Sequence, residues 1–342
     1  MRFRSEVVPV GDGWLALHLI NSNAFSAMVI AEKLDSLSGI DVAYSVRGDG
    51  GNMDVAVMFL ANKVSTRIRD MYESGIIDCC IHESASDGAF LFSFYSMCAT
   101  RKEAKWSELD PDVARVLQSA RATYNAIFSA QSATIPLDAA QLEQTADYIV
   151  DSLATGRITA VMNAAQHHDD STFVHLLSVA TVLAFYGQAV GIKGRDLNVM
   201  AQAGFAHDIG KRVTPHAILY KPGSLESHEM RVMKNHAADA GHILRASDGV
   251  PSEVITVAER HHERIDGGGY PNGLKLGQLD ELSMVASVGD IFCALTDRRC
   301  YKPRLSEPEA LNMLQIMAGD HLEPHHTRTF VHLIRDTGFS LA

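Results

Sequence analysis

The sequence predicts an α+β protein, with a small mixed α/β domain at the N-terminus followed by an all-α helical bundle. Three observations carry this expectation. Up to about residue 100, short apolar runs are separated by turn signals and by stretches of helical spacing. From about Asp110 onward the pattern is almost wholly helical. The length of 342 residues, with 46% hydrophobic and 21% charged residues, suits an ordinary globular chain of two domains or one large one.

In chain order, "NAFSAMVIAEKLDSL" has helical spacing and "RGDGGN" reads as a turn. "DVAVMF" alternates as a strand, with Val55, Val57 and Phe59 on one side. "ANKVSTRIRDMYESG" is helical, and the apolar, aromatic run "GAFLFSFYSM" reads as a further strand. "DPDVARVLQSARATYNAIFSAQ" is a connecting helix with Pro111 in its first turn, and "PLDAAQLEQTADYIVDSLAT" is another helix. No repeat or low-complexity tract marks a boundary. The expected division is residues 1–105 as a regulatory or interaction domain of unread type, 106–135 as a connecting helix, and 136–342 as the helical domain.

Thirty Lys and Arg against 41 Asp and Glu give a formal charge of −11. A large basic surface for duplex nucleic acid is therefore not expected, and an anionic small substrate would need local cations or a metal. The five cysteines, Cys79, Cys80, Cys98, Cys293 and Cys300, are odd in number and contain no C-x-x-C pair. This fits a reducing cytosol rather than a disulfide framework or a cysteine zinc site. "MRFRSEVVPVGDGW" has no apolar core of signal-peptide length. "FVHLLSVATVLAFYGQAVGI", residues 173–192, is near spanning length but holds His, Gln, Ser, Thr and two glycines, so it reads as a buried core helix. The expectation is a cytoplasmic protein without membrane insertion.

The helical half holds most of the histidines. His175 lies in the apolar helix, and His207 and Asp208 are adjacent in "AGFAHDIGK". His236 borders a stripe of Met230, Met233, Ala237, Ala240 and Leu244 in "EMRVMKNHAADAGHIL". His261 and His262 end "SEVITVAER" and open "HHERIDGGGYPNGL", while Asp290 sits in the apolar run "MVASVGDIFCAL". Taken singly, a histidine on an apolar helix is more often a hydrogen-bonded core residue than a ligand. Taken together, so many imidazoles and two carboxylates could not be buried without a shared partner except at a cost of roughly several kcal/mol. A metal is the simplest common partner, and imidazole plus carboxylate without thiolate suits Fe, Mn, Ni, Co or Zn. Side chains of neighbouring helical residues diverge by about 100°, so an adjacent His-Asp does not readily chelate one ion side by side. At a helix end the Asp can instead bridge two ions while the His binds one. Two ions about 4 Å apart activate a hydroxide and stabilise an in-line phosphoryl displacement.

These residues carry a resemblance. "HDIGK" at 207–211, "PHAILYKPGSL" at 215–225, "HHERIDGGGYPNGL" at 261–274 and "DIFCALTDRRCYK" at 290–302 resemble the HD-GYP family of cyclic di-GMP phosphodiesterases, within the HD phosphohydrolase superfamily. The resemblance covers roughly residues 136–342, and none is recognised for residues 1–100. The resemblance implies an HD-type helical bundle with His175, His207, Asp208, His236, His261, His262 and Asp290 as metal ligands and Asp208 as the bridge. It implies a centre of two or three divalent transition-metal ions, iron first and manganese next. It places Lys211 at the scissile phosphate, Arg299 and Lys302 on the substrate's phosphates, and Tyr270 in the substrate-binding loop. Members with three metals carry a Glu four residues before the first His. Here that position is Ser171, which argues for two, although Asp169 or Asp170 could turn inward. The family's Asp and Pro in the last block are Cys293 and Cys300 here, which bears on the substrate pocket. "DGGGYP" reads as a stiffened loop beside the metals, with Gly267–Gly269 supplying positive φ or close backbone approach and Pro271 fixing its exit.

The implied activity is hydrolysis of cyclic di-GMP to linear pGpG, with GMP as a further product. The alternatives are another nucleotide such as mixed cyclic GMP-AMP, and a nucleotide-binding regulator whose catalysis has faded. The implied partners are a small-molecule cyclic dinucleotide and, through the loop, a diguanylate cyclase or other signalling protein. The N-terminal segment stays open between a sensor, a dimerisation unit giving a homodimer, and a partner-docking domain.

Overall fold

The computed structural model of the protein describes residues 7–22, 25–48, 54–129, 132–166, 168, 170–219, 221, 223–297, 304–339 and 341. The chain divides between Lys105 and Trp106 into two compact units.

The first unit runs α1 (Gly13–Ser22), β1 (Ala27–Ala31), α2 (Gly39–Arg47), β2 (Ala56–Ala61), α3 (Thr66–Glu73), β3 (Cys79–His82) and α4 (Asp87–Ala104). The strands form one parallel sheet in the order β1-β2-β3, with Ala27 opposite Ala56 and Met58 opposite Cys79. Parallel neighbours need a crossover, and α2 and α3 supply the two. The strand expected from "DVAVMF" is the central one. Val55, Val57 and Phe59 pack in one core and Ala56 and Met58 in another beside Met97 and Cys98 of α4, so both faces are covered. The helix expected over "ANKVSTRIRDMYESG" is α3, capped by Ser65 accepting from the Ile68 N–H.

Two expectations for this unit are corrected. "NAFSAMVIAEKLDSL" contains the strand β1, because pairing with β2 outweighs a helical spacing too short to decide by itself. "GAFLFSFYSM" is part of the helix α4. Ser86 caps it through the Ala89 N–H, Asp87 lies in its first turn, and Arg101 and Lys102 lie in its last. A continuous apolar run does not separate buried strand from helix by periodicity. Most of the expected "RGDGGN" turn lies outside the described residues.

The second unit holds α5 (Pro111–Ser129), α6 (Ala139–Ala154), α7 (Ile158–Gln166), α8 (Ser171–Ala189), α9 (Gly194–Ala206), α10 (His216–Leu219), α11 (Ser227–Lys234), α12 (His236–Arg245), α13 (Ser252–Arg260), α14 (Glu281–Thr296), α15 (Glu307–Met317) and α16 (Pro324–Thr337). Short 3-10 turns at Ile209–Val213 and Leu276–Gln278 punctuate it. The helix α8 is the axis, with α6, α7, α9, α14 and α16 packed around it. It is long and apolar enough to cross a membrane, but 72% of its apolar window is buried inside the protein, as the core-helix reading expects. Asp170 caps α8 by accepting from the Thr172 and Phe173 N–H groups and is held by Arg121 at 2.9 Å.

The segment expected as a connecting helix forms α5, whose Val113, Val116, Leu117, Ala120, Tyr124 and Ile127 join the same core as α6 to α9. Trp106 belongs to that core too, with its ring 6.1 Å from Phe173. The stripe expected across "EMRVMKNHAADAGHIL" is broken at Asn235 into α11 and α12. Ala237, Ala240 and Leu244 are buried as expected, whereas Met230 is exposed because the break shifts its phase.

Two glycines let backbones touch where the site lies. A Cβ on Gly204 of α9 would sit 2.5 Å from the Ala180 Cα of α8, and one on Gly210 would sit 1.9 Å from the His236 carbonyl oxygen. They bring the turn at His207 and Asp208 between α8 and α12.

A chain beginning at Lys105 is expected to fold cooperatively and keep its helical signal. Trp106→Ala within it should cost about 3–5 kcal/mol, as for a large core aromatic. Thermal and denaturant unfolding by circular dichroism measures both. A molten signal from the Lys105 start would show that the first unit is needed for the second to fold.

Candidate metal centre

Three of the site's histidines stand at helix ends. His207 ends α9, His236 begins α12 and His261 ends α13. Each uses Nδ1 on a carbonyl three residues back: His207 on Gly204 at 2.7 Å, His236 on Met233 at 2.7 Å and His261 on Ala258 at 3.0 Å. A carbonyl can only accept, so each Nδ1 carries the hydrogen and donates it. Each Nε2 is then a bare lone pair in the neutral ring.

Those lone pairs converge on Asp208. Its Oδ1 is 3.3 Å from His236 Nε2 and 3.8 Å from His261 Nε2, and those two nitrogens are 3.5 Å apart. No hydrogen lies between any of them, and Oδ1 is buried with no hydrogen-bond partner. The other oxygen, Oδ2, is 3.4 Å from His207 Nε2 and 4.0 Å from His175 Nε2, and it pairs with the Lys211 ammonium. Asp290, on α14, places Oδ1 3.0 Å from His175 Nε2 and 3.9 Å from His207 Nε2, with Oδ2 3.9 Å from His262 Nδ1. Converging lone pairs with no proton to share repel one another unless a cation sits among them, so the donor set fits divalent metal. Asp208, His236, His261 and His262 form one candidate group, His175, His207 and Asp208 a second, and His207, His261 and Asp290 a third, with ligand atoms in each within 4.8 Å.

The electrostatics agree. Burial, with the neighbouring imidazoles His262 and His207, holds His261 well below the usual histidine range. Burial lowers His236 and takes His262 to about 3. These rings are neutral at pH 7 and ready to act as ligands. Burial opposes the ionised forms of Asp208 and Asp290, but the Lys211 ammonium holds the first well below the carboxylate range and His175 holds the second there. His175 differs. Burial disfavours its charge, yet hydrogen bonds to Asp290 and Asp297 raise it to about 9.

All seven residues expected as ligands are thus drawn into one cluster, six of them buried and His262 partly exposed. Tyr270 lies beside it, with its ring 4.7 Å from that of His262, and burial pushes its phenol up. Glu263 fixes the intervening loop by accepting from the Asn272 N–H at 2.7 Å and the Leu274 N–H at 2.9 Å. Gly267 has φ 82, and a Cβ on Gly269 would meet the Arg264 nitrogen at 2.4 Å, so both expected uses of glycine occur. Asp170 does not turn inward, since it caps α8 and pairs with Arg121. Asp169, Arg299, Cys300 and Lys302 lie outside the described residues.

Sequence reading missed Asp297, whose Oδ2 lies 2.8 Å from His175 Nδ1, although it stands only seven residues after Asp290, at the C-terminal cap of α14. It also missed Lys234, whose Nζ stands 5.0 Å from the centre of the Tyr270 ring.

A helical bundle encloses these imidazoles and carboxylates around an adjacent His-Asp pair, a donor set that fits divalent metal. The profile of the HD domain matches residues 153–325, more than half of the chain, and the chain belongs to that family. The match covers 34% identity over 45% of this chain with 3'3'-cGAMP-specific phosphodiesterase 1 of Vibrio cholerae, and 35% of that protein's length. Cyclic di-GMP phosphodiesterase PA4108 of Pseudomonas aeruginosa is 32% identical over 48% of this chain and 39% of its own. The chain therefore spans well under half the length of these relatives. The cyclic di-GMP phosphodiesterase response regulator RpfG of Xanthomonas campestris is 24% identical over 93% of this chain and 78% of its own. Among solved structures, Bd1817, a HDG"Y"P protein from Bdellovibrio bacteriovorus, has a TM-score of 0.52 and 16% identity over 79% of this chain and 78% of that one, a likeness of fold. The HD-GYP pattern recognised in the sequence is borne out by these matches.

The raised value of His175 fixes the sign of a pH effect. Its folded-state value of about 9 lies above the ordinary 6.5. The stability that protonated His175 gives the metal-free protein is fully present below about pH 6.5 and is lost as pH rises toward 9. A metal at Nε2 must displace that proton, so affinity should rise by about tenfold per pH unit between pH 6.5 and 9. Mn²⁺ titration of metal-depleted protein at several pH values measures this. A flat profile across that window would show that His175 is not displaced.

Proposed function

We propose that the protein is a metal-dependent phosphodiesterase that opens cyclic dinucleotides, cyclic di-GMP to linear pGpG with GMP as a further product. The observation that carries this reading is Asp208, whose two oxygens face two different sets of imidazole nitrogens while Oδ1 has no hydrogen-bond partner. That is the arrangement a bridging carboxylate needs. In this reading His175, His207, Asp208, His236, His261, His262 and Asp290 hold two divalent ions, iron first and manganese next. When bound, such ions supply a hydroxide nucleophile at neutral pH and neutralise charge on the phosphoryl oxygens.

The chain's own groups do the rest. Lys211, held against Asp208, directs its ammonium to the phosphate as negative charge builds up. Tyr270 offers a ring face and a neutral hydroxyl beside His262. Arg299 and Lys302 clamp the second phosphate. Residues 136–342 form the catalytic domain in this reading, 106–135 lead into it, and residues 1–105 are a regulatory or interaction domain. The match to a response regulator over 93% of the chain supports that role. The acidic charge and the odd cysteine count without a C-x-x-C pair fit a cytoplasmic protein, and a homodimer or a diguanylate cyclase partner would engage it there. The relatives named for 3'3'-cGAMP support the mixed cyclic dinucleotide as the second substrate reading.

Purified protein carrying Fe or Mn is expected to contain about two ions per chain, on the bridged-pair principle, and to hydrolyse cyclic di-GMP in a panel with 3'3'-cGAMP and linear dinucleotides. Asp208→Ala should remove both metal and activity while leaving the helical signal. Metal-loaded protein that hydrolyses no cyclic dinucleotide would sink the reading.

The two kinds of cation should separate kinetically. Lys211→Ala should lower kcat by about 10²–10³, the usual loss for one electrostatic stabiliser, with KM little changed. Arg299→Ala should instead raise KM at normal metal content. An unchanged KM for Arg299→Ala would remove that residue from the phosphate clamp.

A further inference from the structure

We infer that Asp297 is a positioning residue of the metal centre, fixing the tautomer and ring orientation of His175 so that its Nε2 faces Asp208 and Asp290. The inference rests on the metal-binding reading above. It starts from a contrast among the histidines. His207, His236 and His261 stand at helix ends and find an acceptor for Nδ1 on their own chain, three residues back. His175 is the fifth residue of α8, inside the helix, where the carbonyls behind it are committed to the helical ladder. A local solution is closed to it, so its acceptor must come from elsewhere.

That acceptor is Asp297 Oδ2 at 2.8 Å from Nδ1, 122 residues away in sequence, and both side chains are almost wholly buried. The backbone leaves α14 at this residue. Asp297 is extended at φ −65 and ψ 144, and its N–H donates to the Cys293 carbonyl at 2.7 Å. This anchors the carboxylate to the last turn of the helix that carries Asp290. Asp290 on α14 and Asp297 at its C-terminal cap, seven residues on, reach the two nitrogens of one ring, at 3.0 and 2.8 Å. Without Asp297 the ring could rotate about its side-chain bonds or take the other tautomer, and either change removes a ligand lone pair from the centre. A buried carboxylate also makes the imidazole a stronger donor to a cation, and such outer partners are typically worth about 10–100-fold in metal affinity.

The test titrates metal-depleted full-length protein with Mn²⁺ for the wild type, Asp297→Asn, Asp297→Ala, His175→Ala and the Asp297→Ala/His175→Ala double variant. Asp297→Asn keeps an acceptor without charge and should weaken binding at one of the ions by about tenfold, and Asp297→Ala should approach a hundredfold. In the His175→Ala background Asp297→Ala should cause no further loss, because it acts through that ring. A general structural role would instead give additive losses, and additivity overturns the inference. If Asp297→Ala does not fold, Asp297→Asn decides, and an affinity equal to wild type overturns it. A wild-type protein that takes up no Mn²⁺ overturns the metal-centre reading and this inference with it. Wild-type uptake with both Asp297 variants unchanged overturns the inference alone.

Discussion

The helical unit is organised around a carboxylate placed among imidazoles that cannot give it a proton. Asp208 is buried, and the nearest nitrogens around its Oδ1 are bare because their partners on each ring already donate to backbone carbonyls. In a low-dielectric interior such a cluster is unfavourable by itself. Its geometry nevertheless depends on helix ends at His207, His236 and His261, and on Gly204 and Gly210, which allow backbones to approach as no larger residue would. The fold therefore uses several local features to hold these groups together, in an arrangement that fits a divalent cation.

Around that centre the charges are graded. The protein is acidic as a whole, at −11, yet the side chain paired with Asp208 is a lysine, and Lys234 stands over Tyr270 nearby. The loop that carries Tyr270 is held by Glu263 through two backbone N–H groups, so the ring is placed by hydrogen bonds rather than by surface packing alone.

The first unit has a different logic. Its three parallel strands are short, and its central strand is covered on both faces by apolar side chains. Buried Arg47 donates to the Val55 carbonyl and pairs with Asp78, which also accepts from the Val57 N–H, so one carboxylate ties strand, helix and loop together. Among the described residues, the candidate metal-holding groups of histidines and carboxylates all lie in the helical unit.

The sequence by itself determined the fold class, the helical character of the second half and all seven residues of the cluster. It could do so because helical spacing runs on from about Asp110, and because the cluster was legible as a set of histidines and carboxylates spread over successive helices, in motifs that resemble the HD-GYP family. It misassigned "NAFSAMVIAEKLDSL" and "GAFLFSFYSM", since short apolar runs satisfy strand and helix patterns alike and only pairing with β2 or capping by Ser86 separates them. It did not reveal the break at Asn235 that turns His236 to the centre, nor the joining of α5 to the helical core. Above all, it could not show that His175 reaches Asp297. That contact spans 122 residues, and such pairings are fixed only when packed helices bring remote side chains to one point.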